Sequence, residues 1–273
     1  MDPRERCYFT PILWEPQPDL EDGEEHEWVL VRERFAAARE GDFGALDDLL
    51  DIYVETIRDP AVQIFATNLL GDAGTDAQLE RVEAFIDDDV SRPNTVCDLC
   101  HSLGLWGRLS AVRAILVAYD RWWPGQLVEG IPAYFVTMLE PAYGPAAEYP
   151  REETDEAFFA YEARLGAVYQ DRLEALGGPH VYAMHGEVFG VRRLAERFLE
   201  LLDRERYSMM MRPFMRQRFE ASTGIDCSDF YRNSDSCALT IAARLEAWLE
   251  GPDAPRFVPG ERYFFGHRIP RSP

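Results

Sequence analysis

Cys97-Asp98-Leu99-Cys100-His101 is the run in this chain that spells a cofactor chemistry: two thiols and a following histidine at the spacing that attaches a c-type haem and ligates its iron. That chemistry needs export and an exposed loop. The run instead lies mid-way along a stretch patterned as helix, so the expectation is buried packing, free thiols and no cofactor. His180, His185 and Glu187 offer imidazole and carboxylate to a metal such as zinc. Three ligands without a fourth, beside a glycine turn, point to structural use, and no metal site is expected. Met209, Met210, Met211 and Met215 recur at helical spacing beside Phe214 and Phe219, which reads as core. The chain has no Gly-x-Ser-x-Gly elbow, no His-Glu-x-x-His and no phosphate-cradling glycine loop. All 28 basic residues are arginine, so lysine-based Schiff-base and P-loop chemistry are excluded. A non-enzyme is the expectation.

What the chain offers in quantity is carboxylates. On a helix expected from Thr75 to Asp88, the apolar stripe Leu79, Val82, Ile86 leaves Asp76, Glu80, Glu83 and Asp87 on the outer side, with Asp88 and Asp89 extending the run. On a helix expected from Ala45 to Arg58 the corresponding acids are Asp47, Asp48, Asp51 and Glu55. Two adjacent helices of this kind would present one negative ribbon, which a basic partner would relieve.

The elements that position these acids come from a repeat. Shifting the sequence by 33 places lays Pro60 on Pro93, Leu70 on Leu103, Gly71 on Gly104, Gly74 on Gly107 and Asp87 on Asp120. Proline starts a helix without wasting a donor and glycine closes one in a left-handed cap, so each copy reads as a helical hairpin with its stop at the Gly-x-x-Gly pair. Val112, Ile115 and Tyr119 repeat the stripe of Leu79, Val82 and Ile86. Gly41-Asp42-Phe43-Gly44 marks a third hairpin upstream, after a helix from Glu25 to Glu40 carrying Trp28, Val31 and Phe35. Downstream, helices are expected at 154–176, 191–207, 208–222 and 236–250, the last burying Leu239, Ala242, Leu245 and Leu249, with Pro179 to Gly186 as a short first helix. The fold expected is all-α: a HEAT-like α-solenoid of degenerate hairpins, one domain over 1–273. An extended N-terminal arm (8–20, with Phe9, Ile12, Leu13 and Trp14), an irregular aromatic insertion at 124–150 and an extended tail at 251–273 complete it. The tail's Tyr263-Phe264-Phe265 must dock on the body, with any strand there short.

A formal charge of −21 and a pI near 4.6 repel phosphate backbones and anionic lipid, and favour basic proteins. No nucleic-acid partner is expected. Five irregularly spaced cysteines, no run of eighteen apolar residues and no signal-type start fit a cytoplasmic protein with reduced thiols.

The helical hairpins, the element Phe219-Glu-Ala-Ser-Thr-Gly-Ile-Asp226 and the closing Arg262-Tyr-Phe-Phe-Gly-His-Arg-Ile-Pro270 together resemble a group of bacterial immunity proteins from polymorphic-toxin systems. The resemblance covers about a third of the chain. It implies a cytosolic antidote that occludes a cognate toxin domain, expected to be basic, and it carries over no active site. The competing readings are a general protein-binding scaffold and a repeat-based enzyme such as a HEAT-like DNA glycosylase. An acidic chain is a poor reader of DNA, which disfavours the last.

Overall fold

A computed structural model describes residues 24–88, 92–122, 131–139, 154–202, 208–232 and 235–271. The N-terminal arm at 8–20, Asp89, Trp123 and most of 124–150 lie outside the described residues. The chain is mostly helical, with eleven α-helices and three two-stranded antiparallel hairpins among the described residues. It sorts into two compact units, Met1–Ala66 with Gly190–Pro270, and Thr67–Phe189 with Arg271–Pro273.

The first unit opens with α1 (Glu24–Arg39), a 3-10 turn (Phe43–Leu46) and α2 (Leu49–Glu55). A continuous helix from Ala45 does not form. Asp47 and Asp48, which compete with helical backbone, occupy the join, and Asp48 is held from outside by Arg34 Nη2 at 2.5 Å. Helix α3 (Pro60–Ala73) begins in this unit and continues into the other. Its first turn is capped by Asp59 Oδ1, which accepts from Ala61 N at 2.6 Å and Val62 N at 3.2 Å. Helices α9 (Val191–Leu202) and α10 (Ser208–Thr223) pack together, and α11 (Ala238–Glu250) packs on α9. The stripe of α11 is Ile241, Leu245 and Trp248, whereas Leu239, expected inside, is 89% exposed on the first turn. The aromatic tail docks as expected: Phe264 is fully buried, and Phe35 meets the rings of Phe65, Phe264 and Phe265 at 5.7, 6.1 and 5.6 Å.

The second unit holds α4 (Asp76–Asp88), α5 (Pro93–Trp106), α6 (Ala111–Trp122), α7 (Ile131–Leu139) and α8 (Asp155–Leu176). The two repeated stripes are buried as read: Leu79, Val82 and Ile86 on α4, and Val112, Ile115 and Tyr119 on α6, are all at 0% exposure. Helix α8 starts on the Thr154 side chain and stops at left-handed Gly177, again as read. Helix α7 lies within the stretch expected to be irregular.

The glycine pairs differ from the expectation. Gly71 and Gly104 are inside their helices, and the stop comes later, with Gly107 in the left-handed cap at φ 71°. They are glycine because helices meet there: a Cβ on Gly71 would lie 2.5 Å from Leu105 Cβ and 2.7 Å from the Ser102 carbonyl, and one on Gly104 would lie 3.1 Å from Tyr134 Cβ. Repeat-equivalent residues also touch, since His101 Nε2 and Asn68 Oδ1 are 2.7 Å apart.

Pro179–Gly186 is not a helix. Strands β1 (Ala183–Met184) and β2 (Glu187–Val188) form a hairpin, and the stretch before them runs along the start of α6 through Leu109 N to Val181 O, Ser110 N to Pro179 O and Ala183 N to Gly107 O. In the first unit, β3 (Tyr231–Arg232) pairs with β4 (Asp235–Ser236), and β5 (Tyr263–Phe264) with β6 (His267–Arg268).

Candidate functional site

The acids expected on one face of α4 divide into three kinds. Asp76, at the first position of the helix, is 6% exposed. Its Oδ1 accepts from Trp106 Nε1 at 3.0 Å and from the Tyr182 hydroxyl at 2.6 Å, so it is an internal acceptor and not part of an outer ribbon. Glu80 is half exposed and takes Arg108 Nη1 at 2.6 Å. Glu83 is half-buried, with Ser110 Oγ 3.5 Å from its Oε1. Asp87 and Asp88 stand in solvent. On and before α2, Asp47, Asp48, Asp51 and Glu55 are all exposed, Asp48 being tied to Arg34, whose hydrogen bond holds its carboxyl below the usual range.

Arg108 is the centre of the α4 site. It sits one residue past the Gly107 cap, 8% exposed, with its guanidinium 5.1 Å over the Trp106 ring. One side of the guanidinium faces Glu80 and, at 4.0 Å, Asp76; Nη2 donates to His180 Nδ1. An arginine in this position can only donate, so His180 presents a bare Nδ1 lone pair. Sequence reasoning missed Arg108, Trp106 and Tyr182. The one available signal was an arginine directly behind a helix-capping glycine.

Burial, countered by Arg108 and reinforced by Glu80 and Asp87, pushes the Glu83 carboxyl up to about 7. An acid whose folded-state value is raised favours folding while protonated, a contribution present in full below its unfolded value of 4.5 and lost as pH rises through 7. Glu83→Gln, a neutral isostere, is therefore expected to raise Tm relative to the native chain at pH 8 and to leave it near the native value at pH 4.5. Thermal melts of both proteins across that range check the sign. A difference that does not grow with pH would mean that Glu83 titrates elsewhere.

The haem-like run lies inside α5. Cys100 is fully buried and Cys97 half-buried, and burial pushes the Cys97 thiol up to about 11 and that of Cys100 well above its usual value. Such thiols are poor nucleophiles and poor thiolate ligands. His101 is lowered to about 4 by burial. The four described cysteines form no disulfide with one another. Of the metal trio, His180 is on Arg108, His185 is buried under its own turn, and Glu187 is exposed; they form no ligand cluster among the described residues.

Two of the hairpins are the same device. His185-Gly186 and Phe265-Gly266 both have two successive positive φ angles, 52° and 77° against 48° and 80°, the turn that matches strand twist. Both close with the same bond, Phe189 N to Tyr182 O and Ile269 N to Arg262 O. Each lays its two tip N–H groups on two carbonyls at a helix end: His185 and Gly186 on Thr137 and Met138 of α7, Phe265 and Gly266 on Ala221 and Ser222 of α10. Those carbonyls have no partner within their helix, so each hairpin is a helix cap. Beside the second cap is a cleft of about 230 Å³ whose lining includes Thr223, Asp253, Arg256, Phe265 and His267.

No known protein family, curated protein or solved structure matches this chain. No helix among the described residues is long and apolar enough to cross a membrane.

Proposed function

We propose that this chain is a protein-binding module of the immunity type, a cytosolic antidote that occludes a basic toxin domain with carboxylates displayed on a stack of helices. It acts by binding and carries no catalytic group of its own. The observation that carries this reading is the division of labour along α4 and α2: one side of each helix is core, and Asp51, Glu55, Asp87 and Asp88 stand exposed on the other. A HEAT-like stack is supported by the contacts between repeat-equivalent places, Asn68 with His101 and the close approaches at Gly71 and Gly104. The net charge of −21 supports a basic partner and disfavours nucleic acid.

The test is association kinetics with any secreted-toxin domain encoded beside this gene, over a salt series. Reversing Asp51, Glu55, Asp87 and Asp88 to lysine should slow association by about tenfold or more at low salt, the loss shrinking as ionic strength rises. Reversal of Asp155 and Glu156, exposed on the first turn of α8, is the control. Equal, small losses for both variants would remove the acidic helices from the interface. A neighbouring gene without any secreted toxin would favour the general scaffold.

A further inference from the structure

The duplicated cap differs at one place. Helices α7 and α10 each extend one residue past the two capped carbonyls, to Leu139 and to Thr223. In the second unit that last carbonyl is taken by an arginine: Arg172 of α8 donates Nε to Leu139 O at 2.8 Å, and its guanidinium lies against the hairpin tip, 3.0 Å from where a Gly186 Cβ would be. In the first unit a Cβ on Gly266 would meet nothing within 4 Å, and Thr223, Phe265 and Gly266 line the cleft. The Thr223 carbonyl accepts no hydrogen bond among the described residues.

We propose that this cleft is an arginine-binding site, and that it receives an arginine side chain of a basic protein partner where the second unit uses its own Arg172. The last carbonyl of α10 lies at the negative end of the helix dipole and matches a guanidinium N–H. Phe265, half-buried, supplies the aromatic surface of the wall, with Trp248 and Phe257 buried behind the lining, and a planar guanidinium stacks on such a ring better than an ammonium. Asp253 adds a carboxylate at the rim. Arg256 and His267 are also on the rim. Arg256 directs Nη1 to Asp253 at 3.1 Å with both side chains more than 60% exposed, a pairing that an incoming guanidinium would displace at little cost. His267 packs over Gly41, whose Cβ position is 3.0 Å from its Nδ1. This assignment rests on the function proposed above only for the source of the arginine.

The full chain, isotope-labelled, would be titrated with blocked tri-arginine and tri-lysine peptides at matched ionic strength, following the Trp248 indole N–H and the Gly266 amide. Tri-arginine should shift both with saturation and bind about tenfold tighter than tri-lysine. Asp253→Asn should weaken it, whereas reversing Asp155 and Glu156 on α8 should not. Equal binding of the two peptides, no shift at Gly266, or equal loss from the α8 variant would overturn the site and leave only general attraction to an acidic protein. Peptide binding without capture of the toxin domain would sink the proposed function and leave the cleft standing. Capture of the toxin domain, unaffected by Asp253→Asn and without a shift at Gly266, would do the reverse.

Discussion

Asp76→Ala is expected to destabilise the protein by about 3–5 kcal/mol, the range for removing one partner from a buried charged network. The carboxylate holds two buried donors, Trp106 Nε1 and the Tyr182 hydroxyl, and lies 4.0 Å from Arg108, which is itself 8% exposed. Removing it leaves those donors without an acceptor and the arginine with less compensation. Asp76→Asn keeps one acceptor oxygen and should recover part of the loss. Urea unfolding of the three proteins, with m-values compared, decides the matter. A cost under about 1 kcal/mol for the alanine variant would mean that water replaces the carboxylate without penalty.

This residue also shows what sequence can and cannot reveal here. Pattern alone places Asp76 with Glu80, Glu83 and Asp87 on the outer face of α4, and for Asp87 that is where it stands. Asp76 fails because its partners lie 30 and 106 positions away, and nothing local announces them. Starts, stops and stripes were legible where a local cause decides them, as with Thr154 and Gly177 around α8 or Leu79, Val82 and Ile86 on α4. Gly71 and Gly104 were misread because a glycine that lets two helices approach and one that ends a helix look alike in one dimension. The hairpin at 183–188 was missed because its turn is His-Gly, and the usual signal for positive φ at both positions is Asn-Gly or Asp-Gly. For its twin at Phe265-Gly266 the sequence points to a docked, extended tail with at most a short strand, and the turn itself goes unsignalled. The cleft beside that twin draws on α10, α11, the turn after α11 and the tail hairpin, and has no sequence signal at all.

Leu70→Asp is expected to abolish the folded state at 37 °C. Leu70 is 1% exposed near the end of α3, where a carboxylate would have no partner and would be left to protonate or to drag water into the core. A penalty of about 4 kcal/mol or more is comparable with the whole stability of many domains. Glu80, which the pattern offers as the harmless comparison, is engaged with Arg108, so Asp88→Lys on the exposed end of α4 is the proper control. Circular dichroism melts should show no cooperative transition for the first variant and a native-like one for the second. Matching transitions would refute the placement of Leu70 in the core.

The tail hairpin sets when the first unit can close. Phe35 packs against Phe264 and Phe265, so the first unit joins side chains that leave the ribosome some 230 residues apart. At ordinary elongation rates of about 5–20 residues per second, α1 and α2 wait on the order of ten seconds or more for their closing piece. The other unit is almost wholly synthesised within that interval, since all but its last three residues fall between Thr67 and Phe189. During the wait Phe35 lacks the two rings that cover it in the finished fold. A chain cut short before Tyr263 would therefore leave Phe35 of α1 without the rings of Phe264 and Phe265.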